Sequence, residues 1–246
     1  MISGLEWFFL IAFSTTFILL AMLAALWLEG QRLIDARVLS SMGAPLGMRY
    51  RVLGRDYLRR PESFMLDERP GVVSEQSVIE RSLVSHRPQG LPAVFEYVNY
   101  RDHLGVRRFG SPSLVLAARI PSEVPEFRLR PRLPLERLWS RDQRRSQFDG
   151  CVPPGWVFHQ DASIHSGDPA ALDMKRLTGS GLWLQVSGRT LYAALPRSPW
   201  PCSQFTPCGI ERLVRAALPV LHVLDSPDVA NLEGLLHRRA HIPQPG

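Results

Sequence analysis

The chain has 246 residues, 45% of them apolar, and a formal net charge of +6 from 29 basic and 23 acidic side chains. That apolar content excludes a wholly disordered chain, and three cysteines (Cys151, Cys202, Cys208) without framework spacing argue against a disulfide scaffold. Lys175 is the one lysine and every other basic residue is arginine, a ratio that reads as genome base composition more than as selection for phosphate binding.

Residues 1–6 form a short tail with no Lys or Arg. Trp7 to Leu28 is an uncharged apolar run whose polar side chains are Ser14, Thr15 and Thr16. At about 1.5 Å per helical residue it crosses a hydrocarbon core of about 30 Å. Trp7 and Trp27 mark its ends, where amphipathic rings favour the interface. The run is too long for a signal-peptide core, and Leu26-Trp27-Leu28-Glu29 is unlike a small-residue cleavage site, so an uncleaved anchor is expected. The basic residues lie after the run: Arg32, Arg37, Arg49, Arg51, Arg55, Arg59 and Arg60, against Asp35 and Asp56. Basic flanks stay inside, so the expected place is the cell inner membrane, single-pass, with the N-terminus outside and the rest in the cytoplasm.

Residues 29–90 read as a juxtamembrane segment of helix and loop. The helix continues to Gly43-Ala44-Pro45, Gly47 to Leu53 alternates as a strand, and 54–90 is polar and broken by Pro61, Pro70-Gly71 and Pro88. Residues 91–239 read as a single α+β domain of antiparallel hairpins packed with amphipathic helices. Its strands are expected at 92–99, Ser113–Ile120, Glu126–Arg130, Gly155–His159, Leu182–Val186 and Thr190–Leu195. Arg101 to Gly105 reads as a turn, and Ser187-Gly188-Arg189 as the tip of the best hairpin. Helices are expected at Leu133–Arg145, from the cap Asp168-Pro169 to Gly179, from Thr206-Pro207 through a kink at Pro219 to Leu224, and from Ser226-Pro227-Asp228 to Arg239. Residues 240–246 read as a disordered tail.

The middle of the chain carries Pro125-x-Phe127-x-Leu129-Arg130-Pro131, followed by an aromatic strand, a short helix, a hairpin and an amphipathic helix. Over roughly residues 91–224 this order resembles a functionally uncharacterised family of bacterial single-pass membrane proteins. The resemblance implies an anchored cytosolic α+β domain with no assigned reaction, and it transfers no catalytic residue.

His159, Asp161 and His165 form the best candidate cluster for a metal or an acid–base site, but H-x-D-x-x-x-H is not an established ligand spacing, and two exposed loop histidines explain it more simply. No G-x-S-x-G, phosphate loop or dinucleotide fingerprint is present, so no cofactor is expected. A nucleic-acid partner is disfavoured, because the arginines at 128–145 sit in no known binding module. The expected function is a membrane-anchored, non-enzymatic interaction or scaffold protein. It would meet the bilayer through residues 7–28. A protein partner or anionic lipid headgroups would lie against Arg49, Arg51, Arg55, Arg59, Arg60, Arg128, Arg130 and Arg132. The competing reading is a membrane-bound hydrolase or metal-dependent enzyme built on His159, Asp161 and His165.

Overall fold

Helix α1 (Gly4–Gly43) is 40 residues long, about 60 Å at the standard helical rise. Ser14, Thr15 and Thr16 turn their hydroxyls back onto carbonyls one turn earlier, which satisfies them without water. Along the apolar run the large side chains point outward, with Leu10, Leu19 and Leu26 each 60% exposed or more. Among the described residues this is the one helix long and apolar enough to cross a membrane, and its N-terminal position suits an anchor or a signal sequence. In this computed structural model the described residues are 4–52, 75–103, 106–109, 113–121, 124–132, 152–159, 173–195 and 204–239. The segments expected as a helix at 133–145, a cap at Asp168 and a tail at 240–246 lie outside them.

The remainder is α+β. Among the described residues nine antiparallel strands form one sheet: β1 (Met48–Val52), β2 (Glu75–Ser85), β3 (Ala93–His103), β4 (Val106–Phe109), β5 (Ser113–Arg119), β6 (Phe127–Pro131), β7 (Trp156–His159), β8 (Trp183–Ser187) and β9 (Thr190–Ala194). Their order is β1-β2-β3-β5-β9-β8-β6-β7, with β4 paired to the far half of β3. β1 and β7 end the row of strands. The sheet therefore runs without a break across residue 90. Two expectations are corrected here. Residues 75–85, read as part of a polar, proline-broken stretch, are the 11-residue strand β2. Residues 101–103, read as a turn, still belong to β3.

The sheet buries apolar residues on both faces. On one face Leu83, Val94, Leu114, Leu116, Leu129 and Leu184 meet helices α2 (Met174–Gly179), α3 (Pro207–Val223) and α4 (Val229–Arg239) and the end of α1. The opposite face gathers Phe95, Tyr97, Val115, Ala117 and Tyr192. β5 is buried at every position from Ser113 to Ala118, as a strand covered on both sides must be. The β8–β9 hairpin closes on Gly188-Arg189, and Gly188 holds φ 56°, which a residue without Cβ adopts at no steric cost.

The helical layer follows its sequence pattern. Thr206 caps α3 by accepting from the Gly209 amide, Pro207 fills the first turn, and Ile210, Leu213, Val214, Ala217 and Leu221 are buried. The helix continues through Pro219, which sits on its exposed side, where water can satisfy the freed carbonyl. The α2 cap is Asp173, whose carboxylate accepts from the Arg176 amide at 3.0 Å. α4 is pinned at its start by Asp228. This carboxylate is fully buried and accepts from the backbone amide of Arg119 at 2.8 Å and from its guanidinium. Ser226 adds a bond from its hydroxyl to the Arg119 carbonyl at 2.6 Å. Asp228 thus ties the last helix to the end of the central strand β5. Replacing it with Ala strands the Arg119 charge and its amide, and the expected loss is about 2–3 kcal/mol. Chemical denaturation of the Asp228→Ala protein measures it, and a loss within about 0.5 kcal/mol, the scatter of ordinary surface changes, would refute the role given to this carboxylate.

Candidate functional site

The sequence Ala93-Val94-Phe95-Glu96-Tyr97 places a carboxylate in the middle of an apolar strand with neighbours on both sides. The Glu96 side chain is 3% exposed, so it needs a cation within reach. Arg81, its cross-strand partner on β2, donates from Nε to Glu96 Oε2 at 2.7 Å. The Arg81 guanidinium lies 5.3 Å from the centre of the Phe205 ring, and the Tyr50 ring packs 6.1 Å from Phe205. Asp35, on the last part of α1, is close enough to feel the Arg81 charge. Five elements therefore converge here: the stem of α1, strands β1, β2 and β3, and the entry to α3.

The electrostatics follow from partial burial. Burial raises the Asp35 carboxyl above its ordinary value, against the pull of Arg81. Burial also raises the Tyr50 phenol, opposed by the charge and hydrogen bond of Arg81 and reinforced by Glu96 and Asp35. For Arg81 burial disfavours the charge, yet the bond and charge of Glu96, with those of Tyr50, hold it above the usual guanidinium value. A guanidinium of this kind does not give up its proton at physiological pH. The cluster is a fixed network of charge that joins α1 to the sheet, and its chemistry is that of a tie.

The residues singled out from the sequence are spread across the sheet. Arg49 is exposed and Arg51 half-buried on β1; Arg55, Arg59 and Arg60 lie outside the described residues. Arg128 and Arg130 are half-buried on β6, alternating with buried Phe127 and Leu129, and Arg132 is exposed just beyond. Five strands separate β1 from β6, so the two arginine sets do not form one patch. His159 ends β7 opposite Arg128 in the register. Asp161 and His165 lie outside the described residues. Among the described residues no group of three or more His, Cys, Asp or Glu is placed to hold a metal.

A groove of about 540 Å³ between α2 and α3 is lined by Arg176, Gly179, Ser180, Ala216, Pro219, His222 and Val223. Its polar groups are engaged within the protein. Arg176 pairs with Asp173 at 3.2 Å, His222 lies 3.4 Å from Glu233, and the Ser180 hydroxyl donates to the Leu177 carbonyl at 2.7 Å.

The buried network and the Asp228 lock were the features that sequence reasoning missed. The signal for the first was Glu96 itself, a charge inside a central strand, and its partner lay in the stretch read as polar loop. Comparison with family models, curated proteins and solved structures finds no match.

Two outcomes are expected. Glu96→Ala leaves the Arg81 charge buried without its partner and costs about 3–5 kcal/mol, whereas Arg81→Met with Glu96→Leu recovers most of that loss. Urea titration of the two variants checks the pair, and equal losses for both would overturn the reading. On the opposite face, burial pushes the Tyr192 phenol up to about 12 from an ordinary 10. Its folded value is raised, so its stabilising contribution is full below pH 10 and is lost as pH climbs through about 12. The loss is about 2–3 kcal/mol relative to Tyr192→Phe. Parallel stability curves for the two proteins from pH 9 to pH 12 would contradict it.

Proposed function

We propose that the protein is a membrane-anchored, non-enzymatic interaction module, held in the inner membrane by one span with its α+β part in the cytoplasm. The observation that carries this reading is the continuity of α1. The helix runs unbroken from its apolar segment to Leu39 and Met42, which are 1% exposed and packed in the core. A flexible linker would let a soluble domain tumble. A helix buried at its far end instead presents one fixed face of the sheet at a set height. From Leu28 to Asp35, where the helix meets the Arg81 network, the stem is about 10 Å long.

The charge bias after residue 29 supports the orientation, and the absence of a small-residue cleavage site at residues 26–29 favours an anchor over a signal sequence. A protein partner would meet either Arg49 with Arg51 on β1, or Arg132 with Arg128 and Arg130 on β6. Arg55, Arg59 and Arg60 add to the basic stretch that faces anionic headgroups.

The test is in-cell photo-cross-linking of the full-length protein, with the reactive side chain at position 49 or 132 and mass spectrometry of the adducts. The account expects one reproducible protein adduct, lost at position 132 when Arg128 and Arg130 are changed to Glu, or at position 49 when Arg51 is changed to Glu. Recovery of the protein alone, or joined only to itself, would count against it.

A further inference from the structure

The register fixes which way the sheet points relative to α1. Gly43 packs beside Met48 and Leu83: a Cβ built on it would lie 2.7 Å from Leu83 Cδ1 and 3.1 Å from the Met48 carbonyl oxygen. Eight residues back along the helix, Asp35 lies within electrostatic reach of Tyr50 and Arg81. β1 therefore runs back along the stem, toward the apolar segment. β2 pairs antiparallel with β1 and places Ser85 at Met48 and Arg81 at Val52. From Arg81 to Glu75 β2 continues in the same direction, past the end of β1, for about 17–20 Å. β3 pairs along that extension as far as Arg101 and goes on to His103, about 7 Å further, with β4 on its other side. The return path along α1 from Asp35 to Leu28 is only about 10 Å. Even at a crossing of about 60° between strand and helix, the end of this three-stranded ribbon reaches the level where the apolar segment begins.

The residues at that end suit a headgroup layer. From the level of Glu75 onward, the stretch Arg101–Phe109 carries Arg101, Arg107 and Arg108 against Asp102, with Glu75 opposite Arg101 in the β2–β3 register. Arg101 and Arg108 stand opposite each other in the register, and Tyr100 stands opposite Phe109. Aromatic residues beside basic ones are the usual composition of a membrane interface.

We propose that the β2–β3–β4 ribbon is a second membrane contact, in which positions 100–103 and 106–109 lie against anionic lipid headgroups. The proposal rests on the reading of α1 as a membrane span. The domain would then be held at two points, the helix and the ribbon, which fixes its rotation about the helix axis as well as its height.

The test uses the full-length protein in nanodiscs of phosphatidylcholine with or without phosphatidylglycerol. Cys151, Cys202 and Cys208 are changed to Ser, and one environment-sensitive fluorophore is attached through Leu20→Cys, His103→Cys or Ala44→Cys. Quenching by spin-labelled lipid reads depth. The expected result is strong quenching at position 20, quenching at position 103 that at least doubles when phosphatidylglycerol is present, and none at position 44, at the far end of the stem. In the phosphatidylglycerol discs, changing Arg101, Arg107 and Arg108 to Gln should return position 103 to the level of position 44. Quenching at 20 with none at 103 would overturn the ribbon contact while leaving the anchor intact. No quenching at 20 would overturn the anchor, and the ribbon contact with it. Equal quenching at 103 in both lipid mixtures, or quenching that survives loss of the three arginines, would overturn the anionic recognition.

Discussion

A single helix must satisfy three environments in succession, and the rest of the structure is arranged around that constraint. The first part of α1 exposes large apolar side chains around its whole circumference, a surface that water solvates poorly. The middle part carries Glu29, Arg32 and Arg37, all exposed, with Glu29 and Arg32 paired across one turn. The last part buries Leu39, Met42 and Gly43 against β1, β2 and α4. Because the helix is continuous, the sheet cannot turn relative to the apolar segment unless α1 bends. The close approach at Gly43 is what permits the final turn to sit so near Leu83 and Met48.

Energetically the central strands are held by apolar burial on both faces, and the charges among them are placed where they define geometry. The pairing of β2 with β3 shifts between Ile79 and Arg81, a bulge that permits more than one alignment beyond it. The Arg81–Glu96 bond sits at the first pair after that bulge, so it selects one register. Such a buried pair adds little net stability, yet it penalises every arrangement that separates the partners. Asp228 acts in the same manner at the other end, where it allows α4 one position over β5. Both ties lie beside parts of the chain that touch the end of α1: Arg81 through Tyr50 and Asp35, and α4 through the packing of Gly234 on Leu46.

Much of this was legible from local chemistry. The β8–β9 hairpin was readable from alternating residues around Gly188, and α3 from its Thr-Pro start and apolar stripe, because in both cases the signal is short-range. β2 was not, since Glu75-Gln76-Ser77-Val78-Ile79-Glu80-Arg81 has too few apolar residues to announce a strand. Its conformation is imposed by pairing with β3, and Arg81 is accommodated there by Glu96. The end of β3 failed for a related reason: Arg101-Asp102-His103 has turn-like composition, and pairing with β4, joined by β2 at Arg101, keeps it extended. The α2 cap is Asp173, and the start expected at Asp168 lies outside the described residues. The candidate sites fared worst. Arginines that cluster in sequence are divided between a terminal strand and a strand six places away, which no linear pattern reveals.

The central claim is that α1 is retained as a membrane span and rigid stem. The most direct measurement is the intact mass of the native protein recovered from the membrane fraction after an alkaline carbonate wash. The account predicts the uncleaved 27.8 kDa chain, resistant to extraction. A shortened chain that has lost the apolar segment and is released by the wash would contradict it.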